Sequence, residues 1–283
     1  VFVLSKKLLR QLFPHEKPII GMIHLRALPG SPRYDPETMD MERIIALAVE
    51  EARMLQDQGV DGLQVENIHD FPYLPGEAIG PETAASLAVA THRVIQAVSI
   101  PVGVNCHLNG GMQALAAAVA AGGGWIRVFE WVNAYVSHAG LTEGIGAKLA
   151  RYRSFLKAEA VRFFCDVNVK HGSHFLISDR SVEEQAFDAE SEGAEAIIVT
   201  GFETGQAPTP EKVRRLASAV GIPLLLGSGV SVQNAASLLE FADGAIVGSA
   251  FKKEGNWKNP VDPQRVREFM RSVEEIRREG RAK

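Results

Sequence analysis

Cysteine is scarce: the chain holds only Cys106 and Cys165, each inside an apolar run that reads as a buried strand. Two thiols so placed make no disulfide framework, and the pattern points to a reducing compartment, read here as the cytoplasm. Charge of one sign is scarce too. Lysine and arginine number 30 against 34 acidic residues, a formal net charge of −4, and no block of like charge occurs. Nothing therefore argues for nucleic acid as a partner or for a charged tail. No apolar stretch approaches the roughly 18 residues of a membrane span. The segment Val1–Phe13 sets Leu4, Leu8, Leu9 and Leu12 among Lys6, Lys7 and Arg10, without a signal-peptide core or a small-residue cleavage site. It reads as a short helix covering one end of the domain. A helix lying on a membrane surface, giving peripheral contact, is the alternative.

What the chain does have is an unbroken alternation of strand-like and helical runs. Strands are expected at 19–24, 61–66, 101–106, 125–129, 162–169, 195–200, 223–227 and 244–248. Helices are expected at about 39–58, 81–98, 111–121, 145–159, 181–192, 210–219, 231–240 and 262–279. Eight strand–helix units in 283 residues, with no Pro/Ser-rich linker, give an α/β chain. The expected fold is a single (β/α)8 TIM barrel over 1–283, with a short N-terminal helix across its floor. Local signals agree: Ser181 with Glu184 makes a capping box, and Thr209-Pro210 opens a helix. Gly59, Gly193 and Gly221 are placed to end helices in the left-handed conformation. The loops Leu25–Thr38, Asn67–Gly80 and Trp131–Gly144 are long and carry Tyr34, Phe71, Tyr73, Trp131 and Tyr135. Long loops in a compact barrel are usually functional.

Residues two apart share a face of a strand. Applied to the strand ends, this sends His24, Glu66, Asn105, His107, Arg127, Asp166, Asn168 and Lys170 toward the barrel interior, with Thr200 closing the sixth run. Phe163, Cys165, Val167 and Val169 take the outer face. Each residue alone reads as a satisfied interior group, Arg127 pairing with Asp166 or Glu66, for example. The whole ring is costly to bury for stability alone. Glu66 and Asp166 are then the candidate acid–base carboxylates. Lys170 is an electrostatic clamp or a Schiff-base nucleophile, and His24 and His107 are proton shuttles. Arg127 stabilises charge, while Asn105, Asn168 and Thr200 bind substrate. No cofactor is implied. A divalent metal on His24, His107, Glu66 and Asp166, or on His171 and His174, stays an option without any fixed ligand spacing.

Two apolar runs near the end stop at small turns, Gly227-Ser228-Gly229 and Gly248-Ser249. Their backbone N–H groups suit a phosphate, with a helix N-terminus capped by Ser231 beside them and Lys252 or Lys253 just beyond. The segment from Gly227-Ser-Gly-Val to Ile246-Val-Gly-Ser-Ala-Phe-Lys252 resembles the terminal phosphate motif of the tryptophan-synthase α-subunit and related barrels. A wider resemblance rests on Pro18-Ile-Ile-Gly-Met-Ile-His24-Leu-Arg-Ala-Leu-Pro29-Gly-Ser-Pro32, on Asp61-Gly-Leu-Gln-Val-Glu66-Asn67 and on Asp166-Val-Asn-Val-Lys170-His171. From Lys17 to about Lys253 the chain is similar to the BtpA family, which includes the SgcQ-type proteins. That resemblance implies a phosphate-binding (β/α)8 barrel. One branch of the family is associated with photosystem I biogenesis at the thylakoid surface. Another occurs beside sugar-phosphate transport and metabolism genes and carries a nucleosidase description. Ribulose-phosphate epimerase is a further phosphate-binding barrel, but Pro223–Gly227 lacks an acidic residue that its metal pattern would need.

The leading expectation is a cytoplasmic, homo-oligomeric enzyme acting on a small phosphorylated sugar or nucleotide-like substrate. The step is a lyase, nucleosidase-type or isomerase reaction driven by acid–base catalysis. The alternatives are an assembly factor for a membrane complex without catalysis, and a class I aldolase using Lys170.

Overall fold

A period of two in the strand runs and three to four in the helical runs builds the expected barrel. The computed structural model describes residues 7–201 and 206–282. Its closed parallel sheet comprises β1 (Ile19–His24), β2 (Gly62–Glu66), β3 (Val102–Asn105), β4 (Trp125–Val128), β7 (Arg162–Val167), β8 (Ala196–Val199), β9 (Leu224–Leu226) and β10 (Gly244–Val247). The strands neighbour one another in chain order, and β10 closes on β1 through Ile20↔Ile246. Between β4 and β7, where the sequence pattern predicts only the long loop Trp131–Gly144, stands a hairpin, β5 (Ala134–Ser137) and β6 (Gly140–Glu143). The helices are α1 (Lys7–Leu12), α2 (Met41–Asp57), α3 (Pro81–Ala97), α4 (Gly111–Ala121), α5 (Gly146–Phe155), α6 (Val182–Ser191), α7 (Pro210–Ala219), α8 (Ala235–Leu239) and α9 (Pro263–Ala282).

Local chemistry explains where they start and stop. Asp40 caps α2 by accepting from Arg43 N at 2.8 Å, and Ile44, Ile45, Ala48, Ala52 and Leu55 form its buried stripe. Ser181 and Glu184 make the expected capping box, and Thr209 caps α7 ahead of Pro210. Gly59 and Gly193 adopt φ of 90° and 93° after their helices. Gly221 does not; α7 runs out through Val220 in extended backbone instead.

Two cores result. The outer one lies between barrel and helices and takes Phe163, Cys165 and Val167, as alternation requires. The inner one fills the lower barrel with Ile20, Met22, Trp125, Phe164, Ala196, Ile198, Leu225 and Ile246. Leu9 and Phe13 join it from below, and Phe13 meets the Trp125 ring at 5.3 Å. Residues 7–13 thus cover the barrel floor; the rest of the segment, Leu4 and Lys6 included, lies outside the described residues. Gly103 makes room for the indole, because a Cβ there would sit 2.1 Å from Trp125. Trp125 Nε1 donates to Gln64 Oε1 at 3.1 Å, so the one polar atom of that ring is satisfied inside the plug. Above this layer the interior changes from apolar to charged.

Candidate functional site

Strand register assembles the first row of the site. His24 pairs with Glu66 and Glu66 with Asn105, so three neighbouring strands present these side chains at one level. Asn105 Nδ2 donates to Glu66 Oε2 at 2.6 Å. Glu66 Oε1 lies 3.4 Å from His107 Nε2 and 3.8 Å from His24 Nε2. Asn105 therefore orients the carboxylate and is not itself a cavity wall. Burial pushes the Glu66 carboxyl upward, but neighbouring His107 and Arg127 outweigh it and hold the group well below the usual carboxylate range.

Arg127 rises two residues along the barrel to Asp166. Its Nε and Nη2 donate to the two carboxylate oxygens at 2.7 and 2.8 Å, with both residues buried. Such a forked pair is rigid. Both Asp166 oxygens are thereby engaged, and the carboxylate holds the Arg127 guanidinium in place. Glu130 stands close enough for Asp166 to act on it. Burial and then that charge push its carboxyl well above the usual range, and its Oε2 has no hydrogen-bond partner among the described residues.

Lys170 lies beyond the end of β7, its backbone N donating to Thr200 Oγ1 at 3.1 Å. Thr200 is fully buried and serves as that anchor. The expected alternation Asp166, Asn168, Lys170 breaks here. β7 ends at Val167, Asn168 turns left-handed at φ 51°, and both Val169 and Lys170 face the cavity while Asn168 lines neither hollow described below. Burial, then the charge of Arg127, brings the Lys170 amine down to about 8, with Glu66 and Asp166 pulling the other way.

These side chains separate two adjoining hollows at the C-terminal mouth. The larger has a volume of about 350 Å³ and is lined by Glu66, His107, Arg127 and Lys170 together with apolar and aromatic walls. Tyr73 stacks on His107 at 4.6 Å, Phe129 meets its edge at 4.9 Å, and Tyr135 and Trp257 complete the walls. Both ring nitrogens of His107 are buried without a hydrogen-bond partner among the described residues. The smaller hollow, about 50 Å³, is lined by His24, Glu66, Arg127 and Lys170 on one side and by Gly227, Ser228, Gly229, Gly248 and Ser249 on the other.

The glycine turns differ in detail from expectation. Gly227 N already donates to Val199 O at 2.8 Å, and Ser228 Oγ is engaged by Gln206 O at 2.9 Å and Gly201 N at 3.2 Å. The amides of Ser228 and Gly229 have no acceptor among the described residues. Gly229 is required as glycine: φ is +70°, and a Cβ would lie 2.1 Å from Ala207 N. Ser231 does not cap a helix; its own N donates to Asn234 Oδ1 at 2.8 Å, and α8 begins only at Ala235 and lasts five residues. Lys252 turns away to pair with Glu51 at 2.8 Å.

Among the described residues no group of three or more His, Cys, Asp or Glu is placed to hold a metal ion. His174, one of the optional ligands, stacks on Tyr135 at 5.1 Å and points Nε2 at Val169 O. Strand alternation puts Phe129 on the face of Arg127, whereas Trp257, Glu130 and the ties Asn67 and Asp70 are site residues that the strand-end pattern does not pick out. Asn67 Oδ1 accepts from His107 N at 2.8 Å and Asp70 Oδ1 from Leu28 N at 2.7 Å, locking three loops together. Asn67 closes the Asp61–Asn67 motif, which was its available signal; Trp257 had none.

A (β/α)8 barrel with a charged mouth is the class that fold and site define. The BtpA family model matches residues 15–275, and the chain belongs to the BtpA family. It is 34% identical over 267 residues to the photosystem I biogenesis protein BtpA of Synechocystis, covering 94% of this chain and 91% of that protein. It is 36% identical over 282 residues to an uncharacterized mitochondrial protein of Caenorhabditis elegans, covering 98% and 100%. Among solved structures, thiamine phosphate pyrophosphorylase from Pyrococcus furiosus superposes with a TM-score of 0.55 at 17% identity, covering 96% of this chain and 98% of that one. The tryptophan synthase α-subunit of Legionella pneumophila gives 0.56 at 16%, covering 97% and 98%. These likenesses establish the barrel. No helix among the described residues is long and apolar enough to cross a membrane.

Proposed function

We propose that this barrel is an enzyme that cleaves or rearranges a small phosphorylated compound, a sugar phosphate or a nucleotide-like molecule. The phosphate sits in the smaller hollow against the amides of Ser228 and Gly229 and the turn Gly248-Ser249. The rest of the molecule fills the larger, aromatic-walled one. The observation that carries this reading is that both hollows share Glu66, Arg127 and Lys170. Any ligand gripped at the glycine turns and extending into the larger space passes those three groups.

Their protonation states suit a lyase or nucleosidase-type step. Glu66 is anionic and stabilises positive charge developing at a carbon or takes a proton from a hydroxyl. Lys170, mostly ammonium at neutral pH but close to losing its proton, donates to the leaving atom. Arg127, fixed by Asp166, faces the anion. A purely structural assembly role offers no reason to gather these charges around a cavity. The relative named for photosystem I biogenesis is compatible with an enzyme whose product that assembly needs.

The test is thermal shift and turnover with a panel of sugar phosphates and nucleotides. A compound that both stabilises and is consumed is expected, with Glu66→Gln keeping the fold and lowering kcat by about 10²- to 10⁴-fold. No shift and no turnover across the panel contradicts the reading. A second reading, imine formation at Lys170, is favoured by the lowered amine pKa of about 8. It predicts borohydride trapping of a phosphorylated carbonyl compound on that residue.

A further inference from the structure

The segment after β10 makes a closed excursion over the mouth. Lys252 and Val261 form an antiparallel bridge at its base, and Lys253 N donates to Pro260 O at 3.0 Å. Inside, Asn259 N donates to Asn256 O and Asn259 Nδ2 to Lys253 O, both at 3.0 Å. An ion pair ties the base of the strap to the barrel wall, and near the tip Arg26 Nη1 donates to Lys258 O at 3.5 Å. Lys252, only 1% exposed, reaches Glu51 of α2 at 2.8 Å, and Glu51 Oε1 also accepts from Val261 N at 3.4 Å. At the tip, Trp257 lines the larger cavity, packs on His69 at 5.1 Å, and places its carbonyl oxygen 3.1 Å from His24 Nδ1.

A backbone carbonyl only accepts, so His24 Nδ1 must carry the proton. A neutral imidazole protonated there leaves Nε2 bare. That nitrogen lies 3.8 Å from Glu66 Oε1, beyond hydrogen-bond distance. Two acceptors side by side at the edge of the anion hollow suit a ligand that brings a hydroxyl to them. A ligand with only acceptor atoms at that point is disfavoured.

We propose that Glu51 and Lys252 are positioning residues. By pinning the strap they hold the Trp257 carbonyl on His24 and fix the tautomer that presents a bare Nε2 beside Glu66 to a hydroxyl of the substrate. The inference rests on the function proposed above only in treating His24 as part of the reacting site. It extends that function by requiring a hydroxylated phosphorylated compound. Burial, then Lys252, lowers His24 to about 3, so the ring is neutral at physiological pH. The charged and titratable groups around it are Glu66 and His69 from β2 and its loop and Lys252 from the strap.

The test needs no substrate. In the full chain labelled with ¹⁵N-histidine, long-range ¹H–¹⁵N correlation distinguishes the tautomers, His24 being assigned by its loss in His24→Gln. A single Nδ1–H pattern is expected for wild type at neutral pH and for Lys252→Arg. Loss of that single pattern is expected in Lys252→Met and in the milder Glu51→Gln. An Nε2–H tautomer in wild type overturns the proposal, as does an unchanged pattern in either folded variant. Failure of both variants to fold assigns the ion pair to global stability and overturns it equally. An enzyme that consumes no phosphorylated compound, yet gives the expected spectra, would sink the proposed function and leave this inference standing.

Discussion

Asp166 and Glu66 are both buried carboxylates, yet their surroundings give them different work. Asp166 has both oxygens on Arg127, at 2.7 and 2.8 Å, and acts through that guanidinium. Asp166→Asn leaves Arg127 as an uncompensated buried cation. The expected cost is about 3–5 kcal/mol of unfolding free energy in urea titration. Lys170 contributes a pH dependence of its own. With its amine lowered from 10.5 to about 8, the unfolded chain binds the extra proton between those values. The Lys170 contribution to stability therefore rises with pH across that window, so the stability difference between Lys170→Met and wild type favours the variant below it and fades toward the upper value. Activity separates the two readings of this residue. As a proton donor it predicts a rate that falls as pH climbs through about 8, whereas as an imine-forming nucleophile it predicts a rate that rises. A pH–rate profile decides between them.

At the scale of elements, the floor and the mouth of the barrel are separable. Phe13 packs into the interior plug against Trp125, far along the barrel from Glu66 and Lys170. Phe13→Ala is expected to cost about 3–5 kcal/mol in denaturant unfolding while the folded fraction keeps its activity per molecule. Strand and helix positions were legible because period-two and period-three-to-four patterns, glycine stops and capping residues all agreed along the chain. The row His24, Glu66, Asn105 was legible for the same reason, since strand alternation and parallel register fix it. The pattern failed where regular backbone ended. Asn168 is left-handed, so counting by twos past Val167 sends it the wrong way. The hairpin of β5 and β6 carries Tyr135 into the wall, but its strands are only four residues each and one face is exposed, so little periodicity marks it. Trp257 reaches the site from a strap held by a long-range ion pair, which no local pattern encodes.

The whole molecule is a barrel whose lower half is an apolar plug and whose upper half is a charged cavity in two parts. The division puts the apolar packing at the floor and the proposed chemistry at the mouth, the usual economy of this fold. Family membership and barrel shape give the frame. The joint between the two hollows, where Glu66, Arg127 and Lys170 stand, is the feature on which the proposal of a phosphorylated substrate rests. The most direct measurement is a crystal structure of the full chain soaked with inorganic phosphate, followed by one with a phosphorylated compound from the panel. The account predicts phosphate between Ser228-Gly229 and Gly248-Ser249, with the remainder of the larger ligand passing Glu66 and Lys170. A saturated crystal with that hollow empty of phosphate, or with the anion bound only elsewhere, would contradict it.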